Sequence, residues 1–170
     1  MILPILFNYL SIVNTNVTNL SLNIARPVVI TEKIYYENPT LVIPKINLKK
    51  EVYPTDSEKN HVDKNIQVID GSSLPEVPNG NFILAAHSGS SAIAYFKHLD
   101  QLTYNDNVYI YYKKTKYHYV IGDIYDVWKS GYVEIRRNKG KNAITLITCK
   151  KGTNMQTVYV GYLIYKEKTK

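Results

Sequence analysis

From Thr40 onward the chain is written as short apolar runs broken, roughly every ten residues, by clusters of Gly, Pro, Asn and Ser. That spacing suits strands of about four to eight residues and leaves no room for the crossover helices that a parallel α/β fold needs. Strands are expected at 41–46, 50–53, 66–69, 81–87, 107–112, 117–127, 143–148 and 155–165. Pro44 suits an edge or a strand start, because proline cannot donate to a ladder. The run 81–87, Asn-Phe-Ile-Leu-Ala-Ala-His, reads as a strand buried on both faces. A turn at Lys113–Lys116 makes a hairpin of its two neighbours, and one or two helical turns fit 92–99. Seven or eight short strands with little helix predict an all-β sandwich or barrel.

At 170 residues the chain is sized for one domain. Residues 1–38 stand apart from it. They open with an apolar stretch to about Val13, too short to span a membrane, and continue with Asn, Thr and Ser alternating with Val and Leu. No basic residue precedes the apolar stretch as a signal peptide requires. This segment is expected to be an arm or the remnant of a membrane anchor, with the compact domain spanning 39–170.

The formal net charge of +7 suits an anionic surface, but lysines are spread along the whole chain and no nucleic-acid-binding motif accompanies them. Nucleic acid is therefore not an expected partner. The 16 tyrosines fit half-wet strands, and biased residue usage explains them equally well. A single cysteine excludes an intramolecular disulfide and leaves no Cys cluster for structural zinc.

Cys149 follows Ile144-Thr-Leu-Ile-Thr148 at the end of an expected strand, beside Lys150 and Lys151. A thiol at a strand end in a positive field is in the setting where cysteines react, whereas one in mid-strand is inert filler. His87 ends another expected strand, before Ser88-Gly89. A lone histidine is ordinarily structural, but a Cys and a His at two strand ends can serve as nucleophile and general acid/base for acyl transfer. His61, His98 and His118 carry no partner motif, and Asp123 and Asp126 read as capping or solvated carboxylates.

Thr145-Leu-Ile-Thr-Cys149 resembles the Thr-Leu-x-Thr-Cys signature of the sortases, and Ala85-Ala-His-Ser-Gly89 resembles the segment that holds their histidine. Ile43-Pro-Lys-Ile46, Asp70-Gly-Ser-Ser-Leu-Pro75, Asn79-Gly-Asn81, Tyr95-Phe96, Leu99 and Leu102 follow the family in order and spacing, so the likeness runs from about residue 40 to 165. It implies a closed eight-stranded β-barrel and a cysteine transpeptidase that needs no metal or cofactor. Cys149 would attack the Thr carbonyl of a Leu-Pro-x-Thr-Gly-type sorting signal, with His87 as proton carrier. Partners would be sorting-signal peptides and an acceptor amine from a peptidoglycan precursor or a pilin, at the outer face of a Gram-positive membrane, with membrane contact through the N-terminal segment.

The family arginine on the last strand is missing. Counting back from Gly161 places Gln156 there, or Thr157 if the loop slips by one, and all three arginines precede Cys149. Three accounts remain: Gln156 donates in its place, a cation comes from Lys150, Lys151, Arg136 or Arg137, or the site has degenerated into a barrel that binds sorting signals or anionic wall polymer without turnover. Thr148, Ser88 and Thr157 are candidate substrate-binding residues. The segment 128–142 is too short for the helix that marks class B, and residues 1–38 show no aspartate-aromatic lid. A class A-, D- or E-like enzyme is expected. An unrelated cysteine hydrolase would want an Asn or Asp orienting the histidine, and no such motif is visible in the sequence.

Overall fold

The computed structural model describes residues 38–169, so the expected arm, apart from Asn38, lies outside the described residues. Eight strands follow in order: β1 (Thr40–Ile43), β2 (Leu48–Glu51), β3 (Gln67–Val68), β4 (Asn81–Ala85), β5 (Asn107–Tyr112), β6 (Thr115–Trp128), β7 (Ala143–Cys149) and β8 (Met155–Lys168). Among the described residues helix is confined to two 3₁₀ turns, Pro44–Ile46 and Leu99–Gln101. The first interrupts what the sequence reads as one strand at 41–46, because Pro44 removes a ladder donor and starts the turn. Between β5 and β6 the two-residue loop Lys113-Lys114 has φ of 47° and 54°, a left-handed pair whose twist matches that of the flanking strands. β6 and β8 run 14 residues each, longer than expected, and pair along nearly their whole length.

The strands form one sheet in the order β2-β1-β5-β6-β8-β7-β4-β3. The expected closed barrel is corrected here: the sheet is curled but open. Its edges are β2 and β3, which do not pair with each other. β3 has two residues and pairs with β4 alone, and the amide of Asn65, just before it, donates to the Glu51 carbonyl of β2 at 2.9 Å.

Alternation along the strands separates two apolar layers. The concave side packs Leu41, Phe82, Leu84, Phe96, Ile110, Tyr119, Ile144, Leu146 and Tyr159 into the main core. The convex side of β4, β7 and β8 carries a second cluster of Ile83, Ala143, Ile147, Val158 and Val160, with Ala85 beside it and Val133 and Ile135 of the β6–β7 connection packed against it. β4 and β7 thus bury both faces, as parallel neighbours do.

Candidate active site

β4 and β7 pair in parallel, with Ala85 opposite Ile147, so their C-terminal ends emerge side by side. Beyond the ladder the two chains stay fastened: Ala86 N–H donates to the Ile147 carbonyl at 3.3 Å, the Thr148 hydroxyl to the Ala86 carbonyl at 2.8 Å, and the Ser88 hydroxyl to the Cys149 carbonyl at 2.7 Å. His87 is therefore held level with Cys149 by bonds on either side of it. Ile83 and Ala85 lie in the convex cluster, as does Ile147, and the period of two carries Cys149, the last residue of β7, onto that same face; β4 ends at Ala85, two residues short of the expected end at His87. Cys149 is a free, half-buried thiol.

On the other side of β7, antiparallel pairing sets Gln156 of β8 directly opposite Cys149, and Thr157 opposite Thr148. Directly opposed residues point to one face, so Gln156 shares the convex face with the thiol. The four candidate cations are otherwise engaged. Lys150 is paired with Asp126, Lys151 with Asp100 and the Lys97 carbonyl, and Arg136 with Glu134 while lying over the Tyr125 ring. Arg137 donates to the carbonyls of Asn79, Asn138 and Lys141.

Ser88, Thr148 and Thr157 line a cavity of about 420 Å³ next to Cys149, together with Phe96, Asp126 and Tyr159. Each of their hydroxyls already donates inside the protein, that of Thr157 to Asp126 at 2.8 Å. The Lys150 ammonium holds the Asp126 carboxyl below the usual carboxylate range, with burial opposing and Thr157 assisting. Asp123 accepts a hydrogen bond from the Tyr162 hydroxyl at 2.6 Å. His118 lies apart on the sheet, stacked on Tyr109 with its Nε2 at 2.7 Å from Asn107.

One residue escaped the sequence reading. Asp63 Oδ1 stands 2.7 Å from His87 Nε2, and this hydrogen bond lowers the Asp63 pKa. No motif marks Asp63; it lies between the strands expected at 50–53 and 66–69, 24 positions before the histidine. Among the described residues no group of three or more His, Cys, Asp or Glu is placed to hold a metal ion.

The family model for the sortase domain matches residues 41–164, most of the chain and all of this site. The chain belongs to the sortase family. Solved sortases share its fold: sortase A of Listeria monocytogenes is 21% identical, with a TM-score of 0.66, and the match covers 79% of this chain and 92% of that one. Sortase C1 of Streptococcus agalactiae is 28% identical over 76% of this chain and 68% of its own, with a TM-score of 0.66. Sortase C of Streptococcus pneumoniae is 23% identical over 79% and 73%, with a TM-score of 0.67. No curated protein sequence matches. Both class A and class C sortases thus stand among the structural neighbours. Sortases are cysteine transpeptidases, and Cys149 is the chain's one thiol.

Proposed function

We propose that this sortase cleaves a Leu-Pro-x-Thr-Gly-type sorting signal between Thr and Gly and transfers the acyl group to an amine. The observation that carries the reading is the row formed by His87 just beyond β4, Cys149 at the end of β7 and Gln156 opposite it on β8, three adjacent strands of the sheet. Cys149 Sγ attacks the Thr carbonyl carbon, and the oxyanion receives a neutral N–H bond from the Gln156 amide. His87, protonated, gives its proton to the Gly nitrogen as the C–N bond breaks, leaving a thioester. An incoming amine then attacks the thioester, His87 takes its proton, and the C–S bond breaks to return the thiolate. Ala85, half-buried beside the convex cluster, offers an apolar contact to the Leu or Pro side chain of the signal.

In this reading Ser88 and Thr148 act through the bonds that keep His87 level with Cys149. The acceptor is an amine of a peptidoglycan precursor or of a pilin lysine, and the site of action is the outer surface of a Gram-positive cell. Residues 1–38 would be its arm or the remnant of a membrane anchor; among the described residues no helix is long and apolar enough to cross a membrane.

A second reading, a barrel that binds sorting signals without turnover, is favoured by the neutral residue opposite Cys149 and by the engagement of the nearby cations. Mass spectrometry separates the two. Incubation with a panel of Leu-Pro-x-Thr-Gly-type peptides is expected to add the acyl mass to the protein, and Cys149→Ala to abolish the adduct. Peptide binding without an adduct from any member of the panel decides for the second reading.

A further inference from the structure

The loop joining β2 to β3 is tied down more firmly than its polar sequence suggests. Two buried asparagines bracket Asp63. Asn60, 8% exposed, donates through its amide to the Val68 carbonyl at 3.0 Å and accepts from the Val68 N–H at 2.6 Å, so its side chain stands in for a neighbouring strand. Asn65, 3% exposed, donates to the Glu51 carbonyl on β2. Between them the N–H groups of Lys64 and Asn65 both bond the His61 carbonyl at 2.8 Å, and Asp63 N–H donates to His61 Nδ1 at 3.2 Å. β3 pairs antiparallel with β4, Gln67 opposite Ala85, so a loop anchored just before β3 is brought alongside the segment that follows β4. His87 lies in that segment, two residues beyond Ala85.

We propose that Asp63 is the positioning residue of His87, so that the row across the four neighbouring chain segments runs Asp63, His87, Cys149, Gln156. The proposal builds on the transpeptidase reading and adds the group that orients its proton carrier. A carboxylate accepts only, so Asp63 Oδ1 holds the proton of the neutral ring on Nε2 and leaves Nδ1 as the nitrogen that exchanges a proton with the thiol and the substrate amine. Both side chains are wet, Asp63 63% and His87 40% exposed, so water competes for the bond and the kinetic effect is moderate. Asp63 Oδ2 lies 3.6 Å from His61 Nδ1, a second and looser contact.

The test pairs kinetics with a titration. Acylation and turnover of a Leu-Pro-x-Thr-Gly-type peptide are measured for the wild type, Asp63→Ala and Asp63→Asn, and the Asp63 carboxyl is titrated by carbon NMR in the wild type and in His87→Ala. Asp63→Ala is expected to lower kcat about tenfold with KM unchanged, and Asp63→Asn, the same shape and still an acceptor, to recover part of the loss. The carboxyl is expected to titrate below the usual carboxylate range in the wild type and to return towards it in His87→Ala. Unchanged kcat in Asp63→Ala, or a carboxyl indifferent to His87, overturns the proposal. A wild type that forms no adduct refutes the transpeptidase reading, and the titration alone then decides whether Asp63 holds His87.

Discussion

Gln156 is the residue on which the chemistry of this sortase is most open to test, and its replacement by arginine has a calculable effect. Direct pairing with Cys149 sets the two Cβ atoms about 5 Å apart, within reach of an oxyanion formed on the carbon bonded to Sγ. A neutral hydrogen bond contributes about 1 kcal/mol net, and one to a charged group about 2 kcal/mol, the charge-assisted bond being also the shorter. A guanidinium in place of the amide should therefore lower the barrier by about 1–1.5 kcal/mol, about tenfold in rate. Gln156→Ala removes the donor altogether and should slow acylation about a hundredfold, the lower end for loss of an oxyanion donor, because Gln156 is half-buried and water can partly replace it. The assay is rapid-quench mass spectrometry of the thioester under single turnover, with Cys149→Ala as the blank and thermal melts to show that each variant folds. If Gln156→Ala acylates as fast as the wild type, Gln156 is not the donor. If Gln156→Arg is no faster, charge opposite Cys149 does not limit the step.

Two further outcomes follow from the scaffold. A Cβ on Gly161 would stand 3.0 Å from Ile144 Cγ2 and 3.3 Å from Tyr119 Cβ, both in the main core; overpacking costs about 1–3 kcal/mol, against a gain of about 0.5–1 kcal/mol from lost chain freedom. Gly161→Ala is thus expected to lower the urea midpoint by an amount equivalent to about 1–2 kcal/mol, and a variant as stable as the wild type would refute that packing. Lys150 depresses the Asp126 pKa in the fold, so the stability this carboxylate contributes is complete above its unfolded pKa of about 3.9 and fades as pH falls through the lower folded value. Asp126→Asn should flatten the acid limb of a stability profile below about pH 4, and an unchanged limb would remove Asp126 from the acid response.

The strand pattern and the two strand-end residues were legible in the sequence for local reasons. Turn formers end the runs, alternation and apolar runs mark the faces, and His87 and Cys149 each close such a run. The count from Gly161 back to Gln156 likewise needed only a short unbroken strand, and the register sets Gln156 opposite Cys149. Three features were beyond reach because they depend on contacts between distant segments. β2 and β3 are left as unpaired edges, and Asn65 reaches β2 with a side chain whose partner, Glu51, no periodicity announces. The engagement of Lys150 with Asp126 and of Lys151 with Asp100 follows from where β6 and the Leu99–Gln101 turn lie beside the β7–β8 loop. Asp63 reaches His87 because β3 runs back along β4 and two buried asparagines fix the loop that precedes it. Sequence by itself determined the succession of apolar runs and turns and so the order of the strands; tertiary structure alone decided which charges stand beside Cys149 and His87, since a hydrogen bond between residues 63 and 87 is a property of strand pairing and not of either segment.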